Sequence, residues 1–155
     1  MIDLFETRHK LYSEYLEELE FIRGIPFSEP KEEQRQWCQD YLDQPYYTWV
    51  DIKQKDKIVG FLIMGTYPDC HPDCDYFICQ SYVLPGYRGN GLMTKAVTSF
   101  IKEHKGYYCL MIIDRNVKAQ RFWSRIFTDC NYIRFELSEV VQLCHGESQY
   151  GYKPK

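Results

Sequence analysis

The stretch Ser81-Tyr82-Val83-Leu84-Pro85-Gly86-Tyr87-Arg88-Gly89-Asn90-Gly91-Leu92-Met93-Thr94 decides the fold of this chain. Its beginning closes an apolar run of strand length, Tyr76 to Val83, and Pro85 to Gly91 forms a Gly-rich turn. From Leu92 onward, Leu92, Met93, Ala96, Val97, Phe100 and Ile101 recur at helical spacing. A strand that passes through such a turn into a helix gathers free backbone N–H groups and the positive end of the helix dipole at one point, which makes an anion site. Glycine there keeps a Cβ out of the way of a phosphate and opens φ > 0. Arg88 adds a charged fork suited to phosphate oxygens. By itself the Gly-x-Gly triplet reads equally well as a surface turn with a solvated Arg. It is not a Walker loop, for want of Gly-Lys-Ser/Thr, and Thr94 stands where a full dinucleotide fingerprint needs glycine.

Upstream, Leu4, Leu11, Tyr12, Tyr15, Leu16, Leu19 and Ile22 repeat every three or four residues with acidic side chains between them, and Gly24 and Pro26 end the pattern. A second helix is predicted from Lys31 to Asp43, bounded by Pro30 and Pro45. The period then changes: Tyr46 to Ile52 and Ile58 to Met64 read as strands around the polar turn 54–57, and Thr66 to Asp75, with two prolines, reads as a loop. Downstream, Gly106 is the expected C-cap of the helix that follows Gly91. Tyr107 to Ile113 is a strand covered on both faces, and Ala119, Phe122, Trp123, Ile126 and Phe127 mark a helix beginning near Asn116. Asn131 to Leu137 and Gln149 to Lys153 are the predicted last strands. Strand-helix-strand order calls for a parallel pair, whereas the early hairpin is antiparallel, so the expected fold is α/β with a mixed sheet in a single domain, 1–155.

The bulk numbers narrow the function. A chain of 155 residues with 45% hydrophobic and 26% charged residues is an ordinary globular composition, and 14 Tyr with 3 Trp make it unusually aromatic. The net charge of −3 argues against a phosphate-tracking nucleic-acid surface. No apolar run approaches the roughly 20 residues that span a bilayer, and the acidic start lacks a signal-peptide core. Seven scattered cysteines do not resemble a disulfide framework, so a cytoplasmic protein with reduced thiols is expected.

With its surroundings, the central stretch becomes specific. Val83-x-Pro85-x-x-Arg88-Gly89-x-Gly91 resembles the acetyl-CoA motif of the GNAT N-acetyltransferases. Against that family's Gln/Arg-x-x-Gly-x-Gly/Ala pattern, Arg88 and Gly91 match and Met93 stands where Gly or Ala is usual. Downstream, Asn116-x-x-Ala119-x-x-Phe122-Trp123 is similar to the family's Asn-x-x-Ala-x-x-hydrophobic-Tyr helix. The resemblance spans Tyr76 to Phe127, while the family's usual first strand is not identifiable. It implies a mostly antiparallel sheet whose parallel pair splays, and acetyl transfer from acetyl-CoA to a primary amine; a homodimer is compatible with it. The backbone of Val83 would polarise the thioester carbonyl. Arg88, Gly89, Asn90, Gly91, Leu92, Met93 and Thr94 would hold the pyrophosphate. Asn116, which reads equally as a helix N-cap, would bond the cofactor arm, and Phe122 and Trp123 would pack on it.

The proton-handling groups are less clearly marked. Many family members protonate the departing thiolate with the Tyr of the second motif; indole at Trp123 is a donor only and cannot act as the acid. Tyr132, Tyr150 and Tyr152 are candidates from the last strands. No Glu lies in the strand Tyr76 to Val83, so Asp75 is the nearest candidate base, and the loop before it is expected to line the acceptor pocket. Cys70-His71-Pro72-Asp73-Cys74 has metal-ligand residue types but no second cysteine pair at matching spacing, so no metal is expected. Two other readings remain: a non-catalytic acyl-CoA-binding or regulatory module on the same fold, and a zinc-stabilised interaction domain.

Overall fold

The computed structural model describes residues 3–138 and 146–155. Two helices come first, α1 (Leu4–Arg23) and α2 (Lys31–Asp43). Asp3 caps α1 by accepting from Phe5 N and Glu6 N at 3.0 and 3.3 Å, and Gly24 ends it in the left-handed region at φ 76°. The hairpin strands β1 (Tyr47–Gln54) and β2 (Lys57–Gly65) lead to β3 (Tyr76–Val83), then α3 (Leu92–Glu103), β4 (Tyr108–Ile113), α4 (Val117–Asp129), β5 (Tyr132–Phe135) and β6 (Glu147–Pro154). Element types follow the sequence pattern, with several strand ends shifted by a residue or two. The C-cap of α3 differs from expectation: His104 closes the helix, and Gly106 lies beyond it against Asp75.

The six strands form one sheet in the order β1-β2-β3-β4-β6-β5, antiparallel except for β3 beside β4. Helices on both sides bury it. Val59, Leu62, Met64, Ile78 and Leu110 face α3 and α4 in one core. Phe61, Ile63 and Tyr82 meet Leu11, Tyr12 and Leu16 of α1 in another. Val59, Phe61, Leu62 and Ile63 are all fully buried, which is why β2 reads as a continuous apolar run. Each such side chain contributes roughly 1.5–3 kcal/mol of burial.

Two irregularities shape the centre. β3 pairs with β4 through Tyr76↔Tyr108, Phe77↔Cys109 and Ile78↔Leu110 only. On its other side β3 matches Ile63 to Gln80 but Met64 to Ile78, which leaves Cys79 as an extra residue. Such a bulge bends a strand and sharpens its twist. Here it falls at the residue where β3 leaves β4, and beyond it Cys79–Val83 and Met111–Ile113 run apart.

Candidate active site

The gap between the diverging strands opens into a cleft of about 500 Å³. Its sides are β3 (Phe77 to Ser81) and β4 (Leu110 to Ile113). Asn116, Ala119 and Trp123 contribute from α4, and Tyr12, Tyr15 and Leu19 from α1. Cys79, the extra residue of the bulge, and Gln80 after it both line the cleft. Gln80 accepts from the hydroxyl of Tyr15 through Oε1 and donates from Nε2 to Tyr41 Oη at 3.2 Å. Burial pushes the Tyr41 hydroxyl up to about 12 and raises Tyr15 as well, so both are neutral at physiological pH. The cleft therefore combines a neutral hydrogen-bonded row with aromatic walls.

At the C-terminal end of β3, Val83 lies opposite Gly60, and no side chain fits at 60 because a Cβ there would stand 2.2 Å from Tyr82 O. Leu84 N donates to Val59 O at 2.8 Å before the single 3-10 turn Pro85–Tyr87. Gly89 and Gly91 then take φ of 85° and 74°. A Cβ built on either would meet nothing within 4 Å, so glycine is required by conformation and leaves open space beside the backbone. Gly91 is the N-cap of α3 and offers no side-chain bond, which leaves the first-turn amides at Leu92, Met93 and Thr94 facing that space without a side-chain cap. Free first-turn amides and the positive end of the helix dipole favour an anion at such a place.

The side chain of Arg88 is used differently from expectation. Its Nε donates to Val83 O at 2.7 Å, and its terminal nitrogens pair with Glu18 of α1 at 2.9 Å. It ties the turn to the strand and to α1. Asn116 caps α4, its Oδ1 accepting from Ala119 N at 3.1 Å, and it also lines the cleft. Trp123 is 5% exposed and borders the cleft, with Phe122 edge-on against it at 5.0 Å.

Asp75 is not brought to this place. It precedes β3 at the end opposite Val83, about 25 Å away by strand rise. Its carboxylate accepts from Tyr107 N at 2.8 Å and its own N–H donates to Tyr107 O at 2.8 Å, so it closes the paired end of β3 and β4. The loop 66–75 enters β3 at that same end and contributes no cleft lining; its nearest link is Asp69, which accepts from the Tyr47 hydroxyl. Within it His71 is buried and accepts from Asp73 N at 3.0 Å, and among the described residues no three His, Cys, Asp or Glu side chains are grouped to hold a metal ion. Tyr150 and Tyr152 face a separate groove beside α4, lined by Gln120, Ser124 and Arg134, and Tyr132 packs beside Tyr108, so none of the three lines the cleft.

Sequence reasoning missed both carboxylates that line the cleft, Asp40 of α2 and Glu147, the latter pairing with Ile113 where β4 ends. Burial raises the pKa of Glu147, Arg23 opposes that, and Asp114 adds to it. No local motif marks it. Gln80 was legible in principle, as a polar residue within the apolar run 76–83.

A family model described as Acetyltransferase (GNAT) family matches residues 8–127. No curated protein sequence matches this chain. Among solved structures, an acetyltransferase from Thermus thermophilus is similar at a TM-score of 0.66 and 16% identity, over 95% of this chain and 88% of that one. GCN5 from Tetrahymena is similar at 0.62 and 12%, over 96% and 86%. The self-immunity acetyltransferase MccE, solved with acetyl-CoA and AMP, is similar at 0.59 and 18%, over 96% and 84%. At these identities the likeness concerns the fold. No described helix is long and apolar enough to cross a membrane.

Proposed function

The chain belongs to the acetyltransferase (GNAT) family, and from that premise we propose that it transfers an acetyl group from acetyl-CoA to a primary amine. The observation that carries this reading is the splay of β3 from β4 beyond Ile78 and Leu110, next to the cradle at Gly89 to Thr94. In this reading the backbone of Gly89, Asn90, Gly91, Leu92, Met93 and Thr94 holds the pyrophosphate, where the helix dipole favours negative charge. The pantetheine arm lies in the gap, against Val83 on one strand and Asn116, Phe122 and Trp123 beside the other. Arg88 acts by holding the turn in place. Acetyl-CoA supplies an activated acyl group; the protein's part is to orient it, exclude water and accept the amine's proton.

A non-catalytic acyl-CoA-binding module is the second reading, favoured by Trp123 where a proton-donating Tyr is usual. Thermal melts with and without CoA, followed by thiol release from acetyl-CoA over a panel of amines, test both. Stabilisation with turnover supports the enzyme, stabilisation without turnover supports the module, and no stabilisation at millimolar CoA overturns both.

A further inference from the structure

The acceptor side of the cleft carries its own chemistry. Phe27 and Trp37, from the segment after α1 and from α2, line it with their rings edge-to-face at 5.9 Å. Tyr41 and Tyr47 continue the wall at 4.7 Å from each other. The hydroxyls of Tyr15, Tyr41 and Tyr47 are engaged with Gln80 or Asp69, so the wall presents rings more than free hydrogen-bonding groups. A peptide backbone or a polyhydroxylated ligand would lose its own hydrogen bonds against it. The formally charged cleft residues are Asp40, Glu147 and Arg23, two negative and one positive, a balance that suits one cation and not a polycation.

Arg23 joins the two ends of this subsite. Its guanidinium lies 4.4 Å from the Phe27 ring centroid, and it is the cation that acts on Glu147. Glu147 lines the same cleft as the aromatic wall and pairs with Ile113, at the end of β4 where the two strands have already parted.

We propose that the acceptor is a small primary amine with a flat aromatic body, laid against Phe27, Trp37 and Tyr41, whose ammonium gives its proton to Glu147. This rests on the acetyl-CoA reading above and adds the substrate class and the proton acceptor. One proton passes from the ammonium to the Glu147 carboxylate and later to solvent. The freed lone pair forms the C–N bond at the thioester carbonyl, the C–S bond breaks with its electrons on sulfur, and the second amine proton ends on the thiolate. The elevated pKa of Glu147 makes it a better acceptor than a solvated carboxylate, with Arg23 of α1 and Asp114 after β4 as the charges facing it.

The test measures acetyl-CoA turnover by the intact protein with 2-phenylethylamine, spermidine and a lysine-containing peptide, alongside the CoA-induced melting shift. Phenylethylamine should have the highest kcat/KM. Trp37→Ala should raise its KM about tenfold, with kcat and the CoA shift retained and Trp37→Phe restoring most of the loss. Glu147→Gln should lower kcat about 10²–10⁴-fold and remove the acid limb of the pH profile, with the CoA shift intact and Glu147→Asp intermediate. An intact CoA shift with preferred turnover of spermidine or the peptide overturns the substrate class. A Glu147→Gln enzyme with full kcat and an unchanged acid limb overturns the proton acceptor. Turnover of no amine in the panel also overturns the inference. Absence of the CoA shift itself is the separate failure of the underlying reading.

Discussion

Arg88 Nε lies 2.7 Å from the carbonyl oxygen of Val83, five residues back along the chain. That bond joins the turn at the head of α3 to the last residue of the splayed strand, and the same guanidinium meets Glu18 on α1. In the folded chain the arginine that resembles a phosphate ligand in the sequence thus bonds to β3 and to α1.

If Arg88 is a brace, its charge is not the main source of CoA affinity. Arg88→Gln should weaken CoA binding less than about tenfold in calorimetric titration. Glu18→Gln should change stability by no more than about 1 kcal/mol, since both partners of the pair are partly exposed. A loss of CoA affinity above roughly 100-fold in folded Arg88→Gln would make the side chain a direct phosphate ligand.

Gly91 is the position at which binding should fail. At φ 74° any side chain is strained, and Asp adds negative charge at the head of the helix. Saturation at 100 times Kd stabilises the wild type by about 2.7 kcal/mol, or roughly 5–10 °C for a chain of this length. Gly91→Asp should melt as one cooperative unit and show no shift with CoA. A shift equal to that of the wild type would remove the pyrophosphate cradle from the reading.

Trp123 borders the cleft but carries no transferable proton. Trp123→Phe should retain most of kcat and lower stability by about 1–3 kcal/mol, since a buried ring is exchanged for a smaller one. A kcat loss of about 10²–10⁴-fold with unchanged CoA affinity would instead assign it an obligate role.

Asp75 is expected to matter for stability alone. Asp75→Asn keeps an oxygen for Tyr107 N and removes the charge, so urea melts should show a cost of about 0.5–1.5 kcal/mol. Steady-state kinetics should be unchanged. A hundredfold fall in kcat at full folding would return it to the chemistry.

The local order of this fold was legible in the residues because its signals are local. The three- and four-residue spacing from Leu4 to Ile22, the cap Gly24, the apolar run of β4 and the Gly-rich turn before Leu92 each act within a few neighbours. The same holds for Asn116, whose cap bond reaches only as far as Ala119. Other features depend on which strands become neighbours. The bulge at Cys79 exists only against β2, and it sets where β3 parts from β4. The direction of β3 puts Asp75 at the closed end, although it directly precedes the motif strand in sequence.

Glu147 is the plainest case of what the tertiary structure alone decides. It lies far along the chain from Val83 and the Gly-rich turn, yet its pairing with Ile113 brings it to the cleft. Nothing near it in the sequence marks it, because its place depends on β6 lying beside β4 and on Arg23, at the end of α1, facing it. Periodicity and caps are short-range properties that a chain carries wherever it goes. Strand order, bulge position and the company a carboxylate keeps are settled only when distant segments pack, since burial and neighbouring charge are properties of the packed arrangement.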